Sequence, residues 1–128
     1  MEIKNVVVIG SGTMGSGIAA HLCNADVPVT LLDLKTEISE KARERIHKSK
    51  PPLLIDKSKI NNIKVGNIRD DFDVVKNADW VVEAVVEYLR IYFVFYIYSF
   101  NDSFYNPVCI FNCIKIIINI TNFNIIYF

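Results

Sequence analysis

Gly10-Ser11-Gly12-Thr13-Met14-Gly15 directly follows an apolar run, IKNVVVI at residues 3–9, and Asp33 lies 18 residues beyond the last of these glycines. Gly10 permits a tight turn out of a strand. Gly12 lacks a Cβ and lets a diphosphate approach the backbone, and Gly15 lets a helix pack closely on the strand. Amides left unpaired at the start of that helix, together with its dipole, favour an anion. Asp33, at the end of the next apolar segment, is placed to accept hydrogen bonds from both hydroxyls of an adenosine ribose. Charge-assisted bonds of this kind are worth about 1.5–3 kcal/mol each. The same carboxylate repels a 2′-phosphate, which selects NAD over NADP. A lone glycine triplet is a weak signal; strand, glycines, helix and acid in this order make a dinucleotide signature.

These residues need a scaffold. The run at 3–9 reads as a buried strand, since a parallel sheet covered on both faces is continuously apolar. A helix is expected over 13–24, where Met14, Ile18, Leu22 and Ala25 recur at helical spacing with Ala19 and Ala20 between them; Pro28 cannot continue it. Residues 27–34 (VPVTLLDL) form the second strand. Residues 38–48 form an amphipathic helix with Ile38, Ala42 and Ile46 on one stripe, ended by Pro51 and Pro52. Residues 50–62 are polar and irregular, with room for one short helical turn. A short strand at 63–68, a short helix at 71–77 with Phe72, Val75 and Val74 as inward candidates, and a buried strand at 80–86 complete a β-α-β-α-β-α-β order. That order predicts an α/β fold: an incomplete Rossmann-type, doubly wound parallel sheet with helices on both faces.

The remaining candidates for chemistry read as structure. His21 belongs on a helix surface or in the core, His47 sits among Lys and Arg on a charged face, Cys23 is a small core residue, and Trp80 is packing. The chain carries 14 Lys+Arg and 14 Asp+Glu, a formal net charge of zero, which argues against a nucleic-acid-binding surface. Cys23, Cys109 and Cys113 have no paired spacing, so neither a disulfide framework nor a metal site is expected, and a reducing, cytoplasmic setting fits. No secretory signal is visible after MEIKN.

At this point VVVIGSGTMGSGIAAHLCNADVPVTLLDL resembles the N-terminal segment of the NAD-dependent 3-hydroxyacyl-CoA dehydrogenases of fatty-acid β-oxidation. Met14, Gly17, Ile18 and Ala19 extend the match well beyond the glycines. ADWVVEAVVE at 78–87 resembles the family's fourth strand, which runs under the nicotinamide half of the cofactor. The resemblance covers residues 1 to about 91. It implies cofactor contacts at Gly10, Gly12, Thr13, Met14, Gly15, Asp33, Ala84 and Glu87, with no metal. It also implies what is missing. Tyr92 stands where the family has a cofactor-contacting Lys. No counterpart is seen of the family's Ser, His, Glu and Asn beyond this point, and both His of this chain precede it. Oxidising a secondary alcohol needs a hydride acceptor and a general base, so the chain is expected to retain a cofactor site without catalytic residues. The helical domain that completes the acyl-CoA site and the homodimer has no counterpart either. Acyl-CoA is thus expected as a substrate of the intact family only, homodimer contacts are expected to be lost, and no membrane partner is expected.

Residues 91–128 differ in kind from residues 1–90. They hold 12 of the 15 aromatics, and Asp102 and Lys115 are their only charges. Ile, Asn, Phe and Tyr make up 28 of these 38 residues, all types encoded by A/T-only codons. The domain boundary is accordingly expected at 91/92. Two origins fit: out-of-frame or non-coding sequence of an A/T-rich genome, which sequencing downstream of codon 91 tests, or a hydrophobic segment that anchors or packs. IYFVFYIYSF has high β-propensity and no charge or Pro, so poor solubility is expected. Two further functions compete: a non-catalytic nucleotide-binding or interaction module completed by a partner chain, and another Rossmann enzyme such as a 3-hydroxyacid dehydrogenase. Asp33 and the 78–87 segment argue against the latter.

Overall fold

Val6, Val7, Val8 and Ile9 have no accessible surface, and these four β-branched residues form the first strand, β1 (Val6–Ile9). The computed structural model describes residues 2–85. After β1 come α1 (Thr13–Asn24), β2 (Val29–Asp33), α2 (Thr36–Lys48), β3 (Ile63–Asn67) and β4 (Trp80–Glu83), with 3-10 helices at Lys57–Asn62 and Phe72–Asn77. The strands pair in parallel in the order β3-β2-β1-β4. Val6 lies opposite Val29 on one side and Trp80 on the other, and Ile9 opposite Leu32 and Glu83. The expected parallel α/β Rossmann-type sheet is present. The chain winds outward from β1 through β2 to β3 and then returns to the other side of β1. This reversal puts a crevice beyond the strand ends at the β1/β4 boundary, where open α/β sheets bind ligands.

Strand alternation divides the core in two. Val6, Val8, Leu31, Ile63 and Val82 face α1 and α2, while Val7, Ile9, Leu32 and Val81 face Phe72 and its neighbours. Right-handed crossovers in opposite directions produce this division. On the second face the cover is the 3-10 helix at Phe72–Asn77, in the place of the short helix expected at 71–77. Phe72 is buried there, and Val74 and Val75 are half-buried.

The strands are shorter than the apolar runs that announce them. Ile3 and Leu34, at the margins of two of those runs, are both exposed. The helix over 13–24 has its expected limits, but its buried stripe is Gly15, Ser16, Ala19, Ala20 and Cys23, while Met14 is 55% exposed. The small side chains bring the helix axis close to the sheet, so Met14 and Ala25, larger or later on the wheel, turn outward. Likewise α2 buries Ser39, Ala42 and Ile46 and leaves Ile38 exposed. Ser39 is tolerated inside because its hydroxyl donates to the Gly66 carbonyl at 2.8 Å, leaving no orphaned polar atom. The irregular 50–62 segment is tied to α1 by Asn24, whose side chain donates to the Leu53 carbonyl and accepts from the Ile55 amide, both at 2.9 Å. The expectations for residue 86, for Glu87 and for the apolar tail lie outside the described residues.

Candidate functional site

The crevice is built from the turn out of β1. Gly10 adopts φ +97°, a conformation that L side chains rarely take, and a Cβ there would fall 2.5 Å from the Ala84 carbonyl oxygen. Position 10 must therefore be glycine both for its dihedral and for the close passage of the chain leaving β4. The Ala84 amide donates to the Ile9 carbonyl at 2.7 Å, so Ala84 is held against the glycine turn. Gly15 is equally constrained: a Cβ would sit 1.8 Å from the Gly10 carbonyl oxygen. Gly12 is the opposite case. A Cβ there would meet nothing within 4 Å, so the space beside it is open to a ligand.

Gly12 is the N-cap of α1 and offers no side-chain cap hydrogen bond, and the first intrahelical bond runs from the Ser16 amide to the Gly12 carbonyl. The first-turn amides are left to an external acceptor, beside the positive end of the helix dipole. Thr13 and Met14 are exposed around this tip. The donor set, the open space at Gly12 and the dipole suit a diphosphate.

Asp33 ends β2 across from the loop. Its Oδ2 accepts from the Ser11 amide at 2.7 Å and from the Ser11 hydroxyl at 2.5 Å, and its Oδ1 accepts from the Leu34 amide at 2.7 Å. The carboxylate is thus oriented by the glycine loop itself, and a carboxylate with about four acceptor positions keeps one open on Oδ1. Nothing in the residue pattern singles out Ser11, a hydroxyl between two glycines. The structure also adds Arg45 of α2: its Nη2 donates to the Ser11 carbonyl at 2.9 Å. Ser16 donates to the same carbonyl, also at 2.9 Å. A serine between loop glycines and an arginine on the facing helix are the only signals the sequence offered for this network.

The other candidates stay away from the crevice. His21 and His47 are exposed on α1 and α2. Cys23 is fully buried, and burial pushes its thiol up to about 11 against a smaller opposing pull from Lys59, so it stays protonated and unreactive. Among the described residues no cluster of three metal-ligating side chains occurs, and no helix is long and apolar enough to cross a membrane.

Comparison with known proteins agrees with this geometry. Residues 5–96 match the model of the 3-hydroxyacyl-CoA dehydrogenase NAD-binding domain. A putative fatty acid oxidation complex trifunctional enzyme of Rickettsia felis is 44% identical over 97 residues, which is 70% of this chain and 14% of that protein. A probable 3-hydroxyacyl-CoA dehydrogenase of Deinococcus radiodurans is 41% identical over 96 residues, covering 70% of this chain and 28% of that one. Among solved structures, a 3-hydroxybutyryl-CoA dehydrogenase from Escherichia coli superposes with a TM-score of 0.58 at 28% identity, over 71% of this chain and 20% of that chain. The (S)-3-hydroxybutyryl-CoA dehydrogenase of Ralstonia eutropha gives 0.57 at 26% identity, over 73% of this chain and 35% of that one. The chain therefore spans well under half the length of these relatives, and the shared part is the cofactor domain. The chain belongs to the 3-hydroxyacyl-CoA dehydrogenase family through its NAD-binding domain.

Proposed function

We propose that this polypeptide takes up NAD as the cofactor-binding portion of a 3-hydroxyacyl-CoA dehydrogenase and does not itself carry the residues that oxidise the substrate. The observation that supports it most directly is the contrast between Gly15, where a Cβ is impossible, and Gly12, where the space is open. Gly10, Gly12, Thr13, Met14 and Gly15 cradle the diphosphate with backbone amides. Asp33 accepts from the adenosine ribose and disfavours a 2′-phosphate. Ala84, at the end of β4 beside the glycine turn, borders the nicotinamide half, and Glu87 extends that border. NAD, when bound, supplies the hydride-accepting ring; the chain's own residues bind and orient it.

The proposed substrate class, 3-hydroxyacyl-CoA, rests on kinship with the relatives named above. Withdrawing the hydroxyl proton requires a base near the nicotinamide, and His21 and His47 lie out on helix surfaces. The proposed division places the cofactor domain at residues 1–91, with residues 92–128 outside it, and a cytoplasmic location is proposed on the same kinship. Calorimetric titration of the chain with NAD tests the first half: saturable uptake that weakens in Asp33→Ala supports it, and no uptake overturns it. Turnover of a 3-hydroxyacyl thioester by the purified chain would overturn the second half.

A further inference from the structure

The peptide unit joining Ser11 to Gly12 is held from behind. Its carbonyl accepts from the Arg45 guanidinium and from the Ser16 hydroxyl, each at 2.9 Å. In a planar trans peptide the carbonyl and the amide of the next residue point in opposite directions. Two donors on the Ser11 oxygen therefore hold the Gly12 amide pointing the opposite way, away from Arg45 and Ser16. That amide has no acceptor among the described residues. A cationic donor on the carbonyl also draws electron density across the peptide and strengthens the attached N–H as a donor, as in any chain of hydrogen bonds. Arg45 makes no ion pair among the described residues, and Glu44, the acid that lines the same groove, pairs instead with Lys48. It reaches the loop from a groove of about 700 Å³ that it lines with Thr13, Ser16 and Lys41.

We infer that Arg45, acting through the Ser11–Gly12 peptide, is a positioning residue for the cofactor's diphosphate. The inference rests on the NAD-binding role proposed above and adds to it a residue outside the glycine loop. Arg45 touches no part of the cofactor; it fixes the direction and donor strength of one amide that does, and its positive charge adds to the field at the helix tip. Ser16, buried beneath the same carbonyl, shares the task from within α1.

A role confined to the diphosphate separates Arg45 from residues that merely hold the fold. The full chain and its Arg45→Ala, Arg45→Lys and Asp33→Ala variants are titrated calorimetrically with NAD, ADP and adenosine. Arg45→Ala is expected to lose about fivefold in affinity for NAD and for ADP, the scale of one ordinary net hydrogen bond, because the guanidinium acts only through the intervening peptide, with adenosine unchanged. Arg45→Lys keeps a charge and one donor and is expected to recover most of that loss. Asp33→Ala is expected to weaken all three ligands, because each carries the ribose. An Arg45→Ala loss that adenosine shares, or no loss with any ligand, overturns the inference while leaving NAD binding standing. Absence of NAD uptake by the unaltered chain overturns both.

Discussion

Ser11 engages the Asp33 carboxylate twice, through its amide at 2.7 Å and its hydroxyl at 2.5 Å, joining the turn after β1 to the end of β2. The acid proposed to hold the ribose is thus also a brace of the loop proposed to hold the diphosphate. Its substitution has two separable effects.

Asp33→Ala is expected to lower NAD affinity by about 10- to 100-fold, the loss of one or two charge-assisted bonds. It also strips the buried Ser11 amide of its acceptor and costs about 1–2 kcal/mol of stability. Asp33→Asn keeps an acceptor oxygen for Ser11 and is expected to restore most of the stability but little of the affinity, while narrowing the preference for NAD over NADP. Urea midpoints and parallel titrations with the two dinucleotides separate these effects. An Asp33→Ala variant that binds as the parent does would remove Asp33 from the site.

The two glycines of the helix tip should fail differently. Gly15→Ala drives a Cβ to 1.8 Å from the Gly10 carbonyl oxygen, which must move backbone. A loss of about 3 kcal/mol or more is expected in denaturant melts. Gly12→Ala meets nothing within 4 Å and has φ −67°, so stability should stay within about 0.5 kcal/mol of the parent. Its added methyl stands where the diphosphate approaches, so NAD affinity should drop sharply. Equal destabilisation by the two changes would contradict the geometry.

Cys23 ties stability to alkaline pH. Its thiol is raised from 9.0 to about 11 by burial, so the folded state favours the neutral form. The sign follows: this contribution is fully present below pH 9, where the unfolded thiol is also protonated, and is lost as pH rises toward 11. Urea midpoints between pH 8 and 11 should fall less steeply in Cys23→Ala than in the parent, although the variant starts lower because it leaves a small cavity. At pH 8 a thiol reagent should reach Cys23 only as fast as the chain opens. Rapid labelling of the folded chain at this position would show that the thiol is not enclosed.

Asn24 holds the 50–56 segment to the end of α1 with two bonds of 2.9 Å, to the Leu53 carbonyl and from the Ile55 amide. Both partners are solvent-accessible, so water replaces much of what is lost, and Asn24→Ala should cost about 1 kcal/mol. Trypsin should cut sooner after Lys57. An unchanged midpoint together with an unchanged cutting rate would show that the segment is held elsewhere.

Much of the frame was legible because backbone requirements leave marks in residue type. Only glycine serves at positions 10 and 15, and a run such as Val6 to Ile9 buried on both faces must be apolar throughout. What misled was side-chain size. Periodicity placed Met14, Ile18, Leu22 and Ala25 inward with Ala19 and Ala20 between them; Ile18 and Leu22 do pack against the core and Ala19 and Ala20 lie in it, but close approach to the sheet puts Gly15, Ser16 and Cys23 innermost and turns Met14 and Ala25 outward. The same bias chose Ile38 over Ser39 in α2, since a buried hydroxyl is acceptable only with a partner, and the Gly66 carbonyl lies 27 positions away. Ser11 and Arg45 were silent for a related reason. Their importance lies in one shared carbonyl oxygen, and no pattern along the chain records which side chain will reach it.

The order of pairing also bears on biosynthesis. Of the four described strands β1 leaves the ribosome first, yet one of its two neighbours, β4, leaves last, and Val6 meets Trp80 only across 73 intervening positions. Until that segment emerges, the nascent chain can assemble β1, β2 and β3 but must leave one flank of β1 bare, with the turn at Gly10 lacking its Ala84 abutment. Long-range closure of this kind is slow relative to local contacts. Among the described strands the crevice is therefore completed by the last to emerge, and a chaperone that shields bare strands would have its natural point of action on this flank.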